Sequence, residues 1–582
     1  MTKDTNNSLT DFDMCLALAQ KAINSQMTVA WDSWIARSEF SETGEMKDFA
    51  LVRIYDNDLK TSGLEVEFDP LTVNLYVPDG KLGQVQVTLH LKSGKVFSEK
   101  TNLSRSETRK IDNDVEDMLS EAVKRGEISS ADQNNDVVFD KYYTVYKKQN
   151  PEKFREETEI ANWSISFLVD LDKKPCDLNV LQQIDPASHE AVSKCVQNSG
   201  LNDNDVFSIE YLFMKFTEVD LLLSDNKGIK IPDGVPQDVS VKARSCLNTM
   251  LQGNNGEFML GTVVRRSKTR SEGHLIPTFG LTDFAFNVKA DEHVPEASTL
   301  SYLGMFSKRP LPQGKDLDSA RINLSDNWVR PEMLDGTKGS ISGTMAISKT
   351  VFFDRYLILK VKEELGVDPQ VSGLTWKFEL NEVVEERISP DIVDRRYKCK
   401  SDAWLQVAIQ PGTNELKITG RIDGFGDYDS YTWAPIEAMK IHEAWFHIAG
   451  HRDVEASIKL QGQGGSSDFK VVVDIVPDGD AMFKELVVDK NEVGGTAKLT
   501  DNCFSDNLAH FLGTTTINET LRKSQKSQYE TFTRVVKERL SKIDMSLNNS
   551  AFIPPGGGVF TFQNLRFSNA GDLLFDVIYK AP

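Results

Sequence analysis

At 582 residues the chain is too long for one hydrophobic core, and at ~150 residues per domain it makes roughly two to four. Its composition, 40% hydrophobic and 26% charged, excludes collagen-like and disordered chains. With 87 Asp and Glu against 67 Lys and Arg, a net −20, the surface repels phosphate backbones, so no nucleic-acid partner is expected.

The six cysteines, Cys15, Cys176, Cys195, Cys246, Cys399 and Cys503, are scattered and form no C-x-x-C pair. That spacing fits reduced thiols better than a disulfide framework. The opening stretch MTKDTNNSLTDFDM is polar and lacks the apolar core of a signal peptide. No apolar run approaches the ~18 residues of a membrane span, so no transmembrane segment is expected. The expected location is the cytoplasm, with non-classical release left open.

Residues 11–27 read as a helix capped by Asp11 or Asp13, with Phe12, Leu16, Ala19, Ile23 and Met27 at helical spacing. Residues 27–40 then read as extended. LEVEFDPLTVNLYV (64–77) and QVQVTLHLKSGKVFS (84–98) alternate as strands, with a turn expected at Ser93-Gly94. The charged stretch 102–160 is helix-compatible through Val115, Met118, Leu119 and Val123. Strands are expected again at 162–172 and 207–224, and the Gly/Pro-rich 227–238 reads as a turn or linker.

A second cycle begins with a helix over 347–366, starting at Ser348 and ending at Gly366. Strands follow at 374–384, 402–410, 415–422 and 468–476. Residues 516–545 form the clearest helix, with Thr516 and Glu519 as a capping box. Two alternating strands close the pattern at 551–579. Long one-faced strands broken by a few amphipathic helices indicate an α+β fold with antiparallel sheets.

Little in the sequence suggests catalysis. HEAWFHIAGH (442–451) holds three histidines, but His442 and His447 are five apart, one residue off the zincin spacing. On a strand, His447 and His451 share a face and His442 lies opposite, leaving two ligands without a third. GQGGSS (462–467) lies between strands and reads as a hairpin loop. GSISG (339–343) has Ile341 where a nucleophile elbow needs serine. RRSKTR (265–270) reads either as a solvated loop or, through Arg265, Arg266, Lys268 and Arg270, as a phosphate or lipid-headgroup contact. No catalytic residue, cofactor site or metal site is therefore assigned, and the protein is expected not to be an enzyme.

Several segments resemble a known family. FIPPGGGVFTFQNLRFSNAGDLLFDVIY (552–579) is similar to the C-terminal signature of the P-forty-seven and OrfX-like proteins, accessory proteins of clostridial neurotoxin gene clusters. GTMAISKTVFFDRYL (343–357), FDMCLALAQKAINSQM (12–27) with Trp31, TLSYLGMFSKRPLP (299–312) and DNWV (326–329) resemble that family in its order. The resemblance implies tandem tubular lipid-binding (TULIP) modules, long helices wrapped by highly curved antiparallel sheets. It implies a bacterial protein and no catalytic set. The expected limits are 1–235, with a helical insert at about 102–160, and 236–582.

On that footing the expected function is non-enzymatic binding of a lipid or other apolar ligand, accessory to a toxin or secreted complex. Phe12, Leu16 and Ile23 would line the first module, and Phe352, Phe353, Leu357, Phe532 and Val536 the second. One rival is a scaffold for proteins of the same gene cluster, with fully packed modules. The other is a metal-dependent hydrolase using His447 and His451.

Overall fold

The structure is a computed structural model. It describes residues 8–9, 11–37, 51–77, 84–198, 207–215, 229–230, 235–252, 257–266, 281–306, 309–324, 328–335, 341–388, 393–433, 440–463, 470–478, 481–494, 514–541, 545–546, 552–553 and 559–580.

β1 (Met14–Ala19) runs straight into α1 (Gln20–Arg37). β2 (Leu51–Tyr55), β3 (Gly63–Asn74) and β4 (Gln84–Glu99) follow. A helical hairpin, α2 (Arg105–Lys124) and α3 (Asp136–Gln149), stands between β4 and β5 (Arg155–Cys176). Then come β6 (Phe207–Lys215), β7 (Ile229–Lys230), α4 (Gln237–Gln252) and β8 (Glu257–Arg266). β9 (Leu281–Lys289), β10 (Thr299–Phe306) and β11 (Gly343–Ile347) lead to the second half.

There a π-helical stretch, Thr350–Leu357, continues into α5 (Ile358–Leu365). β12 (Gln370–Ser372), β13 (Thr375–Ile388), β14 (Val393–Ile409), β15 (Glu415–Trp433) and β16 (Lys440–Gln463) form a meander. β17 (Lys470–Pro477) and β18 (Val487–Gly494) both pair with β16. α6 (Thr514–Arg534) runs on through a second π-helical stretch, Val535–Leu540. β19 (Met545–Ser546), β20 (Phe552–Ile553), β21 (Val559–Phe567) and β22 (Leu573–Lys580) complete the described chain.

The strands make three antiparallel sheets, and the fold is α+β. The first sheet runs β2-β3-β4-β5-β6-β8-β20, with β7 on β5, and holds α1 and α4. The second runs β12-β13-β14-β15-β16-β17-β19, with β18 on β16, and holds α5 and α6. Between them lies a six-stranded sheet, β21-β22-β11-β1-β10-β9, whose edges approach β8 on one side and β16 on the other.

Each half repeats one plan. A central strand enters a helix, a meander wraps it, a second helix packs inside, and the chain returns to the central sheet. One hydrophobic core runs through both modules. α4 packs on β2, β3 and β4, and β8 pairs with β6. A limit at 235/236 therefore cuts between strands of one sheet.

Three expectations are corrected. Residues 14–19 are a strand, not the start of a helix, and the helix runs from 20 to 37 through the stretch expected to be extended. β1 sits between β10 and β11, with Met14, Leu16 and Leu18 in the main core and Cys15 and Ala17 in a separate one. A strand covered on both faces shows no apolar–polar alternation, so its run of six apolar residues imitates a helix. Ser93-Gly94 is no turn, because β4 passes through it. Gly94 is there for close approach: a Cβ would lie 2.3 Å from the Glu65 carbonyl oxygen.

Candidate ligand cavity and the two interiors

α1 buries Ala22, Ile23, Gln26, Met27, Ala30 and Trp31, a stripe at three- and four-residue spacing. Two polar neighbours on this helix serve the first sheet. The Gln20 Oε1 accepts from the Leu75 N–H and the Asn24 Oδ1 from the Val73 N–H, both at 2.7 Å. Among the described residues β2 pairs with β3 only from Gly63 to Glu67, so farther along that strand these amides satisfy N–H groups at Val73 and Leu75.

Gln26 differs. It is 2% exposed, and its Nε2 has no hydrogen-bond partner among the described residues. It lines a small, partly open gap of about 10 Å³, room for roughly one water molecule, where α1, the first sheet and the central sheet meet. Leu18 of β1, Leu260, Gly261 and Thr262 of β8, Tyr302 of β10, Phe552 and Ile553 of β20, and Phe560 of β21 form the rest of the wall. A Cβ at Gly261 would lie 3.3 Å from the Tyr302 hydroxyl, so glycine keeps this wall open. Burial pushes the Tyr302 phenol well above its ordinary range, so it stays an O–H donor. Pockets for drug-sized ligands run to roughly 300–1,000 Å³, so a ligand larger than water enters here only if α1 and the sheets part.

The second module packs its long helix differently. Gly424 and Gly450 are cross-strand neighbours on β15 and β16. A Cβ on Gly424 would lie 2.7 Å from the Ser524 Oγ, and one on Gly450 2.9 Å from the Leu521 Cδ1. α6 thus lies directly on the sheet. The Gln525 Nε2 donates to the Ile422 and Gly450 carbonyls at 2.9 and 3.3 Å. The Gln528 Nε2 donates to the Ser401 carbonyl at 3.1 Å, and its Oε1 accepts from the Ser401 hydroxyl. Polar side chains here fasten helix to sheet.

The residues expected to line a ligand fall into different places. Leu16 and Ile23 lie in the main core, while Phe12 lies across the central sheet with Cys15, Leu303 and Trp328. None of the three lines the cavity, although Leu18 and Gln26 close by do. Phe352 meets Phe353 edge-on at 5.0 Å, and Phe353 stacks on Trp376 at 5.0 Å with 18° between planes. Leu357, Phe532 and Val536 are fully buried in the same core. Arg265 and Arg266 end β8, opposite Ser208 and Phe207; Lys268 and Arg270 lie outside the described residues.

His447 and His451 both lie on β16, but each faces its own carboxylate. The His447 Nδ1 is 2.7 Å from Asp427 on β15, and the His451 Nδ1 is 2.7 Å from Asp489 on β18. Among the described residues no group of three His, Cys, Asp or Glu side chains could hold a metal ion. Nor is any helix among them long and apolar enough to cross a membrane.

No family model matches the chain, and no curated protein matches it. Among solved structures it is similar to P47 from Clostridium botulinum A2, at 10% identity and TM-score 0.41 over 98% of each chain. It is similar to a lipopolysaccharide binding protein at 9% identity and TM-score 0.24, over 98% of this chain and 100% of the other.

Proposed function

We propose that the chain is a non-enzymatic binding protein that takes a lipid or other apolar ligand in its first module, between α1 and the junction of two sheets. The observation that carries this reading is the seam beside α1, where an amphipathic helix lies between two antiparallel sheets around a small gap bordered by Leu18, Leu260, Phe552 and Phe560. Burying an apolar chain there is favourable by about 25 cal/mol per Å². Opening the cavity to admit a longer ligand means moving α1 away from β8. The test is mass spectrometry of protein purified from cells and extracted under denaturing conditions. The expected result is a stoichiometric apolar compound; protein that releases none, and takes up none from vesicles, sinks the reading.

A second reading has its own support. α6 is clamped to its sheet by glycines and glutamines, as suits a module that is scaffold rather than container. In that role the chain would assemble with products of neighbouring genes in a toxin or secreted complex. Co-expression with those products and recovery of a defined complex checks it. Recovery of this chain alone counts against it.

A further inference from the structure

Two side chains of α1 stand where a strand would. β4 runs along one side of β3 as far as Asn74, but β2 covers the other side only up to Glu67. Beyond that point no strand among the described residues pairs with the open side. An open sheet edge is a template for pairing with another chain, and charged side chains are a common guard against it. β13, which β12 covers only from Thr375 to Lys377, carries Glu379 and Glu382 farther along. β3 has no such guard, since residues 70–77, PLTVNLYV, include no charge. Instead the Gln20 Oε1 and the Asn24 Oδ1 accept from the Leu75 and Val73 N–H groups, each at 2.7 Å. Val73 and Leu75 are two apart, so both N–H groups leave the strand on the same side, away from β4.

We infer that Gln20 and Asn24 form an autoinhibitory contact: their amides occupy the outer edge of β3 and close it to the same edge of a second copy of this chain. Two such edges laid antiparallel about a two-fold axis exchange N–H and C=O groups, and over residues 70–77 no like charges meet. A foreign strand finds no charged side chain there to select it, whereas self-pairing needs only an edge that is open and uncharged. The contact lies at the edge of the sheet and holds whether or not the module takes a ligand.

The experiment is sedimentation velocity of the purified full chain over a concentration series, with thermal melting to verify that each variant folds. Gln20→Ala combined with Asn24→Ala should form dimers at a concentration about tenfold lower than the unaltered chain, the scale of one or two backbone hydrogen bonds. Hydrogen exchange at Val73 and Leu75 should quicken in the dilute double variant and slow again where dimers form. Adding Thr72→Lys should return the double variant to the behaviour of the unaltered chain, since like charges then meet across the paired edges. Asn24→Ala alone, at a half-buried position, repeats the test in the event that the double variant does not fold. A folded variant whose edge amides exchange freely and which dimerises no more readily than the unaltered chain overturns the inference. So does an association that Thr72→Lys leaves untouched, because the contact then lies elsewhere on the molecule.

Discussion

Gln26 and Gln525 are the same residue type, each at most 3% exposed, each on a long helix cupped by a curved sheet. Gln525 spends its N–H groups on two strand carbonyls, and the sheet meets it with glycine. The Gln26 Nε2 has no partner among the described residues, and Gln26 borders a gap the size of one water molecule. Gln20 and Asn24 on α1 also fasten helix to strand, so the two modules share that device and differ at Gln26, whose buried donor is left without a partner among the described residues.

The largest effect expected from breaking this comparison is in the second module. Phe353→Ala should cost about 3–5 kcal/mol, because a fully buried ring stacked on Trp376 is lost and a void is left. Urea unfolding measures it, and any bound lipid should be retained in the folded fraction. Lipid lost with the ring would move the ligand to the wrong module. Next, Gln525→Leu should destabilise by about 1–3 kcal/mol by orphaning strand carbonyls. Gln26→Leu should have the opposite sign in ligand-free protein, stabilising by about 1 kcal/mol as an unpaired donor disappears. Equal signs in calorimetry would erase the distinction between the two glutamines.

A third region sharpens the comparison because it belongs to neither module. Asp13 and Asp572 hold the central sheet to its flanking loops. Asp13 accepts from the Phe306 N–H at 2.8 Å, and Asp572 from the Lys349 and Leu9 N–H groups at 2.8 and 3.1 Å. Burial pushes both carboxyls up, outweighing these bonds and, at Asp13, the Arg309 guanidinium. The folded state thus binds these protons more tightly than the unfolded chain. The stability they contribute is full below the ordinary carboxylate pKa of about 4 and is lost as pH rises through the raised values. Asp572→Asn should flatten that part of a melting temperature against pH curve; an unchanged slope would remove Asp572 from the account. The smallest effect lies in the helical hairpin. Ser104 and Glu107 form a reciprocal capping box, and Ser104→Ala should cost about 1 kcal/mol, seen as faster hydrogen exchange confined to α2.

Much of the architecture can be read from side-chain periodicity. β3, β13 and β15 bury one face, so their alternation is plain, and the helix ending at Gly366 stops where its left-handed φ of 69° requires glycine. β1 could not be read that way, because apolar side chains on both faces erase the period that identifies a strand. The error then spread, since a helix placed over 11–27 left no room for α1 to reach Arg37. Gln26 is visible only in the corrected frame, as the polar member of the stripe Ala22, Ile23, Gln26, Met27. The rest of the cavity wall comes from β8, β10, β20 and β21, which meet across hundreds of residues. No local pattern records that meeting.

The position of β1 bears on how the chain can fold as it is made. Its two partners, β10 and β11, are synthesised some 280–330 residues later, and β22, which covers β11, comes later still. Until then a six-residue apolar strand waits with both edges unpaired, in a contact pattern of high sequence separation that folds slowly and exposes sticky edges. A chain stopped before residue 559 would leave β11 open along one side, a template for pairing with another molecule. Nascent chains of this protein should therefore lean on chaperones until translation has passed the last strands.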